Sequence, residues 1–352
     1  MSTPVSYGID YDVTAFEMRH PAAELSDGRK LPFDPRELVR MATLAASSHN
    51  TQPWKFRIGA DSITILPDFT RRCPAADRDD SHLFRSLGCA AENLVHAATS
   101  QGLAPLVHFD QGTRSVVVTL KADPAIRVSE LYPAIPIRQC TRTLFAGIPA
   151  NAEELLRLQR SATGNAGRIE IFTADRDKDR IIEYIHEGNA AQLGDRAFVR
   201  ELVQWIRFND EEALRLRDGL CGRVMGTRPA PRWLAARLLP LALRMRIRKT
   251  SASDAAKIRS SAGIAVFIGR GHDEASWIQV GRAFERFSLR GALMGIRVAL
   301  LNQPVEVPRV RQQFESWLGL HGSESAQLVV RFGFGPLAAY SLRRPVQDVI
   351  VD

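Results

Sequence analysis

The spacing of apolar residues along the chain predicts amphipathic helices that alternate with short strands. Apolar residues recur every three or four positions in residues 87–98 and 277–287, which indicates two core helices. Short apolar runs bounded by turn-forming residues predict strands at 54–59, 62–67, 106–109, 115–121, 168–172, 263–269 and 327–332. Helices and strands interleave, so we expect an α+β or α/β architecture with sheets covered by helices.

Two pairs of segments resemble each other and predict an internal duplication. Asp34 and Asn151 each stand three residues before a glutamate, which is typical of a capped helix start. Residues 88–92 and 281–285 form the second pair, and small residues around them would permit close helix–helix approach. The two offsets are 117 and 193 residues, so the second half carries 76 additional residues between its matched helices.

We therefore expect two halves, 1–126 and 127–352, with a basic insertion at about 206–260. Between Arg223 and Arg259 the chain has ten basic residues against Asp254 alone, a local charge of +9. The net charge of the whole chain is +8, so the remainder carries −1. Because the basicity belongs to one segment, it does not indicate a nucleic-acid-binding surface.

Composition excludes several other classes of protein. The 352 residues are 45% hydrophobic and 24% charged, as in ordinary globular proteins. We see no signal peptide and no apolar run long enough to span a membrane. The four cysteines lie far apart and the histidines lack metal-ligand spacing, so we expect no metal site and a cytoplasmic location.

The run Ser47-Ser48-His49-Asn50-Thr51-Gln52-Pro53-Trp54 carries the most specific signal. With Ala46 before it and Phe56 after it, the run resembles the flavin-contacting loop of the nitroreductase superfamily, which reads (P/A)SxxNxQPWxF. As in that superfamily, it follows a predicted helix and leads into a predicted strand. The resemblance implies a nitroreductase-like α/β sandwich with central, mostly antiparallel sheets. It also implies that Ser47, Ser48, His49, Asn50, Gln52, Pro53 and Trp54 form one wall of a site for flavin mononucleotide (FMN).

The same resemblance implies a phosphate-binding run, usually Arg-x-Ser-x-(Lys/Arg) ahead of a phenylalanine. Arg138 and Arg142 match it, ahead of Phe145, whereas Met18-Arg19-His20-Pro21 near the N-terminus does not. Cys140 replaces the usual hydroxyl residue, and Thr141 is a possible substitute. Paired guanidinium groups suit a phosphate dianion. Arg343 and Arg344 form a C-terminal basic segment of the kind that returns to the flavin, although a solvated tail is the alternative.

The first half thus has the loop and the second half has the arginine run. Such a split resembles the Acg-type branch of the superfamily, which is described as single-chain pseudo-dimers with a lid over the flavin. We expect one FMN per chain, in a monomer with pseudo-twofold symmetry or in a homodimer. The expected activity is hydride transfer from NADH or NADPH through FMN to a small acceptor, such as a nitro compound or quinone, with no catalytic side chain required.

Two alternatives concern the insertion. A lid that blocks turnover would make the chain an FMN-sequestering protein instead of an enzyme. Residues 233–247 alternate apolar and basic residues around Pro240, which should kink or split the helix. We favour the interpretation that this segment packs its apolar side over the flavin with its arginines outward, over the alternative that it lies on an anionic membrane surface.

Overall fold

The computed structural model describes residues 7–20, 34–164, 167–245 and 247–352. Residues 31–33, where the first predicted repeat begins, and Pro21 lie outside this part. The helices are α1 Tyr7–Glu17, α2 Pro35–Thr43, α3 Ser81–Ser100, α4 Ala152–Ala162, α5 Asp175–Gly194, α6 Arg196–Trp205, α7 Asp210–Leu216, α8 Gly222–Met225, α9 Arg232–Met245, α10 Ile247–Arg259, α11 Glu274–Leu293, α12 Gln303–Glu306, α13 Pro308–Trp317 and α14 Val346–Val349. The strands are β1 Trp54–Ile58, β2 Ser62–Pro67, β3 Leu103–Asp110, β4 Ser115–Ala122, β5 Arg168–Phe172, β6 Ile206–Arg207, β7 Leu220–Cys221, β8 Gly263–Arg270, β9 Ile296–Leu300, β10 Glu324–Phe334 and β11 Ile350–Val351.

The α+β fold is built on two sheets with the same internal strand order. The first sheet runs β1-β2-β4-β3 and the second runs β5-β8-β10-β9, with antiparallel neighbours throughout. Chain order matches as well, because α2-β1-β2-α3-β3-β4 corresponds to α4-β5-β8-α11-β9-β10. This repeated topology supports the predicted duplication. C-terminal strand β11 then adds to the first sheet, parallel to β1, so the end of the second half returns to the first.

Helices α3 and α11 pack on each other at the centre of the largest apolar core. A Cβ added to Gly88 would lie 2.1 Å from the carbonyl oxygen of Ile278, and one added to Gly281 would lie 2.0 Å from that of Arg85. The contacts are reciprocal, because Gly88 and Gly281 are separated by the same 193 residues as Arg85 and Ile278. Each glycine therefore lets the two helix backbones touch at a crossing with local twofold character.

The helix ends also match between the halves. Gly102 follows α3 with φ +74°, and Gly295 follows α11 with φ +72°, a left-handed conformation that favours glycine at a helix end. The predicted helix starts match in part. Asp34 caps α2 by accepting from the Arg36 amide, and Asn151 with Glu154 forms a complete capping box on α4. The glutamate of α2 bonds Arg40 instead of closing a box.

The long connection between β5 and β8 distinguishes the second half. In the first half the matching strands, β1 and β2, are joined by a hairpin, whereas α5 to α10 lie between β5 and β8. The predicted insertion at about 206–260 lies inside this interval, and the limits of the halves stay a prediction. Because α5, α10, α12 and α13 cover the outer face of the second sheet, β8 is buried on both sides, whereas β2 alternates.

The structure contradicts the favoured interpretation that residues 233–247 pack their apolar side inward, over the flavin. Helix α9 runs through Pro240 to Met245, and its apolar side chains are largely outward. Trp233 is 76% exposed, and Leu238 and Leu241 are more than half exposed. Among the residues of this helix whose side chains the structure describes, only Leu243 lines the central cavity. In the ranges that the structure describes, no helix combines the length and apolar character needed to cross a membrane.

Candidate functional site

A cavity of about 390 Å³ lies where the halves, the β5–β8 insertion and the C-terminal run meet. Its volume is in the range of small-molecule sites. The predicted site residues that line it are Ser47, Ser48, His49, Asn50, Arg138, Cys140, Arg142 and Arg343. The cavity therefore unites segments that are almost 300 residues apart in sequence.

The loop after α2 has an unusual backbone that requires support. His49, Asn50 and Gln52 all have positive φ, at 48°, 54° and 53°. Left-handed backbone costs a non-glycine residue on the order of 1 kcal/mol or more, although asparagine tolerates it better. Such a conformation persists only where the surroundings fix it.

Asn50 and Gln52 provide that support. The Asn50 amide donates to the carbonyls of Gly219 and Leu342 at 3.1 and 3.2 Å, and its oxygen accepts from Arg343 at 3.0 Å. Gln52 donates to the Arg217 carbonyl at 2.8 Å. Both side chains therefore join the loop to the insertion and to the C-terminal run, and the amide of Asn50 is already occupied by protein partners.

Three predicted wall residues lie behind the loop and do not line the cavity. Gln52 is fully buried, and its side-chain oxygen accepts from the Arg344 amide. Pro53 accepts a hydrogen bond from the Asp68 amide through its carbonyl. Trp54 is fully buried in the core on the inner face of β1. The wall itself is formed by Ser47 to Asn50, whose serine hydroxyls donate to no other group in the described part of the chain.

The guanidinium of Arg138 has partners within the protein. Its Nε lies 2.8 Å from Glu285 Oε1, an ion pair without hydrogen-bond geometry, and its Nη2 donates to the Leu44 carbonyl at 2.9 Å. Burial alone would lower the pKa of Arg138, but Glu285 and the neighbouring thiols raise it. Burial raises the pKa of Glu285 despite Arg138. Because Glu285 offsets its charge, Arg138 is a fixed and paired part of the cavity wall.

Arg142 differs from Arg138 in its surroundings. No hydrogen bond or ion pair joins its guanidinium to any other described residue, and it lines the cavity. Cys140 also lines the cavity, where the family pattern has a hydroxyl residue. Thr141 cannot replace that hydroxyl, because it is buried outside the cavity and donates to Gln139 Oε1 at 3.1 Å.

The two C-terminal arginines have different positions. Arg343 is buried at the cavity, where it donates to the carbonyls of Thr43, Leu44 and Ala45 at the end of α2. Burial and the nearby Arg138 lower its pKa to about 10, so it remains charged at neutral pH. Arg344 lies 3.8 Å from Asp68 and does not line the cavity, so its contact with a flavin stays a prediction that this geometry does not support.

Two cavity arginines were missed by sequence reasoning. Arg19 is buried, donates to the Pro136 and Ser341 carbonyls and stacks 4.1 Å from the Tyr340 ring centroid. Arg85 contacts His82 at 3.0 Å, and burial lowers its pKa to about 10. Within the described ranges neither has a carboxylate partner. The Met18-Arg19 segment failed the motif, and Arg85 stands inside an apolar helix pattern without any motif.

A polar group of residues lines another part of the cavity. His82 Nε2 lies 3.2 Å from Glu306 Oε1, and Glu306 accepts from Gln192 at 2.5 Å. Burial would raise the pKa of Glu306, but the contacts with His82 and Gln192 lower it. Burial lowers the pKa of His49, whose Nδ1 lies 3.7 Å from Cys73 Sγ. His49 is therefore neutral at pH 7.

Several buried polar atoms on cavity-lining residues have no hydrogen-bond or ion-pair partner among the residues that the structure describes. They are Nε of Arg19, Nε of Arg85, Nε2 of Gln139 and Oε1 of Gln303. Buried donors and acceptors are normally satisfied, so unpaired ones around a cavity indicate a polar ligand or water. Donors predominate and most cationic groups lack an acidic partner. The donor set therefore fits a ligand with an anionic group and a polar ring edge, as FMN has.

The connection between β5 and β8, called the β5–β8 insertion, supplies the remaining wall of the cavity. Leu193, Phe198, Leu202 and Leu243 form an apolar side, and Asn189 and Gln192 add amides. The same insertion contributes the turn at Arg217–Gly219 that holds Asn50. It therefore both covers the cavity and fixes the loop that lines it.

Comparisons with known proteins agree with the loop motif. Two proteins named "Putative NAD(P)H nitroreductase", from Mycobacterium tuberculosis strains CDC 1551 / Oshkosh and ATCC 25618 / H37Rv, are each 24% identical over 329 residues, 90% of both chains. No family model matches the sequence.

Solved structures similar to this chain include a BluB-like flavoprotein from Clostridium difficile 630, with 12% identity and a TM-score of 0.42 over 64% of this chain and 99% of that one. Another is the FMN-dependent nitroreductase NfnB from Mycobacterium smegmatis in complex with NADPH, with 13% identity and a TM-score of 0.39 over 61% and 94%. Because both scores are below 0.5, the α+β description rests on the strand order given above. The sequence similarity over nine-tenths of both chains supports placing this chain in the nitroreductase superfamily.

Proposed function

We propose that this chain binds FMN in the central cavity and transfers a hydride from NADH or NADPH to a small acceptor, such as a nitro compound or a quinone. The observation that carries the proposal is the convergence of the Ser47–Asn50 loop, Arg142 and Arg343 on one cavity. The relatives named as NAD(P)H nitroreductases support the reaction class.

Each wall of the cavity has a role in this proposal. Arg142 would bind the phosphate through charge-assisted hydrogen bonds, and Arg19 and Arg343 add positive charge to the same cavity. The hydroxyls of Ser47 and Ser48 and the amide of Gln139 would meet the polar edge of the ring. Bound FMN supplies the hydride chemistry, while the protein binds and orients it and places positive charge nearby. The apolar insertion wall would exclude water.

We propose a stoichiometry of one FMN per chain, in an Acg-type pseudo-dimeric arrangement that is either a monomer or a homodimer of such chains. Two features support it. The second half has no counterpart of the Ser47–Trp54 run. Glu92, which the repeat matches to Glu285, is paired with Arg282 and Arg286, which do not line the cavity, whereas Glu285 is paired with Arg138, which does.

A second candidate is FMN sequestration. The observation that favours it is the insertion wall of Leu193, Phe198, Leu202 and Leu243. A wall that stays closed over a bound flavin would keep a nicotinamide from approaching it. The insertion is also bound to the loop through Asn50, so it does not form a separate cover.

Anaerobic reduction of the purified yellow protein with NADPH, and separately with NADH, distinguishes the two candidates. Loss of the yellow absorbance supports the oxidoreductase, and persistence of the colour supports sequestration. Free FMN mixed with the same nucleotide is the control for direct reduction. A colourless protein that takes up no FMN would exclude both candidates.

A further inference from the structure

The outer face of α9 is an apolar surface with an arginine inside it. Trp233 is 76% exposed, Leu241 56%, Leu238 51% and Leu234 39%. At about 100° of rotation per residue, these side chains and Arg237 share an arc of roughly 140° on one side of the helix. Exposed apolar side chains grouped in this way usually mark a contact surface.

The surroundings of this face are cationic. Arg237 and Arg228 are exposed and have no acidic partner in the described part of the chain. Among the basic residues from Arg223 to Arg259 whose side chains the structure describes, Arg223, Arg232, Lys257 and Arg259 form ion pairs, which leaves Arg228 and Arg237 as the unpaired cations. The occupant of the face should therefore be anionic. A second copy of this chain would bring the same positive segment against it.

The opposite side of α9 fixes the orientation of the exposed face. Arg232 pairs with Glu212 and donates to the Ile206 carbonyl. Leu243 packs against the apolar cluster of Leu193, Phe198 and Val199. The helix is thus attached to the protein along one side, which leaves Trp233, Leu238 and Leu241 directed away from it.

We propose that this face of α9 docks on the surface of an anionic lipid bilayer. Tryptophan and leucine on one side of a helix, with arginines beside them, match the pattern of helices that lie in the membrane interface. The apolar side chains would enter the boundary between headgroups and acyl chains, while Arg228 and Arg237 would pair with lipid phosphates. This inference does not depend on the identity of the cavity ligand.

Cosedimentation of the full chain with vesicles tests the proposal. Vesicles of phosphatidylcholine with phosphatidylglycerol should bind the protein at low salt, and vesicles of phosphatidylcholine alone should bind it much less. High salt should weaken the binding, because it screens the arginines. Trp233 fluorescence should shift to the blue on binding, and Trp233→Phe should remove the shift.

Paired variants separate the face from the rest of the surface. Trp233→Ser with Leu238→Ser should weaken vesicle binding roughly tenfold or more, whereas Leu106→Ser with Leu337→Ser, also exposed apolar positions, should not. Arg228→Gln with Arg237→Gln should weaken it too, against Arg36→Gln with Arg176→Gln as the charge control. Circular dichroism checks folding, and the arginine pair provides a test if the apolar pair unfolds. The proposal is overturned by no binding to anionic vesicles, by equal effects of test and control variants, or by a self-association that Trp233→Ser with Leu238→Ser abolishes.

Discussion

Glu92 of α3 and Glu285 of α11 occupy matched positions in the two halves, yet their surroundings differ. Glu92 contacts Arg282 at 2.7 Å and Arg286 at 3.1 Å, and His96 lies 3.4 Å away. Burial would raise the pKa of Glu92, but these cations lower it. Glu285 has Arg138 as its ion-pair partner, and burial raises its pKa.

The two glutamates therefore mark two kinds of region, one in which the arginines are bound within the protein and one beside the cavity. Around Glu92, one carboxylate binds both arginines within the protein, so this end of the helix pair has a structural role. Around Glu285, Arg138 is paired while Arg142 is not, and both line a cavity. The repeat therefore preserves the helix crossing at both ends, whereas within the described part of the chain only the Glu285 end has arginines, Arg142 and Arg343, without a carboxylate partner.

The largest expected effect tests the shared helix crossing. Gly88→Ala and Gly281→Ala should each destabilise the protein by about 3 kcal/mol or more, because the added methyl group meets backbone that cannot move independently. Chemical denaturation measures both. Gly194→Ala, at the exposed end of α5 with nothing within 4 Å, is the control. Clearly unequal losses at the two glycines would contradict a reciprocal crossing.

The next prediction separates the two glutamates. Glu92→Gln should cost about 3 kcal/mol of unfolding free energy, because it leaves two arginines without their carboxylate. FMN affinity should stay unchanged in that variant. Glu285→Gln should weaken FMN binding, because Arg138 loses its partner at the cavity wall. Denaturation and FMN titration of both variants provide the check, and equal losses of affinity would remove the distinction drawn above.

Arg142 provides a sharper test of the cavity at the Glu285 end. Arg142→Ala should weaken FMN binding by roughly 10- to 100-fold, the value of about 1.4 to 3 kcal/mol for a charge-assisted bond. Riboflavin, which lacks the phosphate, should bind the variant and the parent equally. Arg344→Ala is the matched control, since Arg344 follows the cavity residue Arg343 in sequence but does not line the cavity. Retention of FMN by Arg142→Ala together with Arg138→Ala would refute the phosphate assignment.

The smallest effect is in the pH dependence. The pKa of Glu92 is lowered in the folded protein from its ordinary value of 4.5, so its stabilising contribution is present above pH 4.5 and is lost as the pH falls further. The pKa of Glu285 is raised, so Glu285 takes up a proton above pH 4.5 and weakens its pair with Arg138. FMN affinity should therefore decline at a higher pH than the stability advantage of the parent over Glu92→Gln. The reverse order, found by titration and thermal melts across pH, would contradict the assignment.

Local sequence rules predict much of this fold. Alternating apolar residues locate β1 and β2, the caps Asp34 and Asn151 mark two helix starts, and Gly102 and Gly295 mark two helix ends. The short β9 was missed, because Ile296 to Leu300 contains an arginine and continues directly from a helix end. The repeat was visible because glycines at the α3–α11 crossing cannot be replaced without moving backbone.

The site was less predictable, because it depends on which face of an element meets the rest of the protein. Strand alternation buries Trp54 on the inner face of β1, away from the cavity. The amphipathic pattern of α9 shows that the helix has two sides, but it does not show which side packs inward. Arg19 and Arg85 reach the cavity only through tertiary packing, and neither belongs to a sequence motif.

Titration of the flavin-free chain with FMN, followed by quenching of flavin fluorescence, is the decisive measurement for the flavin assignment. We expect saturation at one FMN per chain and much weaker binding in Arg142→Ala. Saturation at two FMN per chain would mean that the Glu92 end also forms a site. An absence of saturable binding would contradict the assignment of the cavity to a flavin.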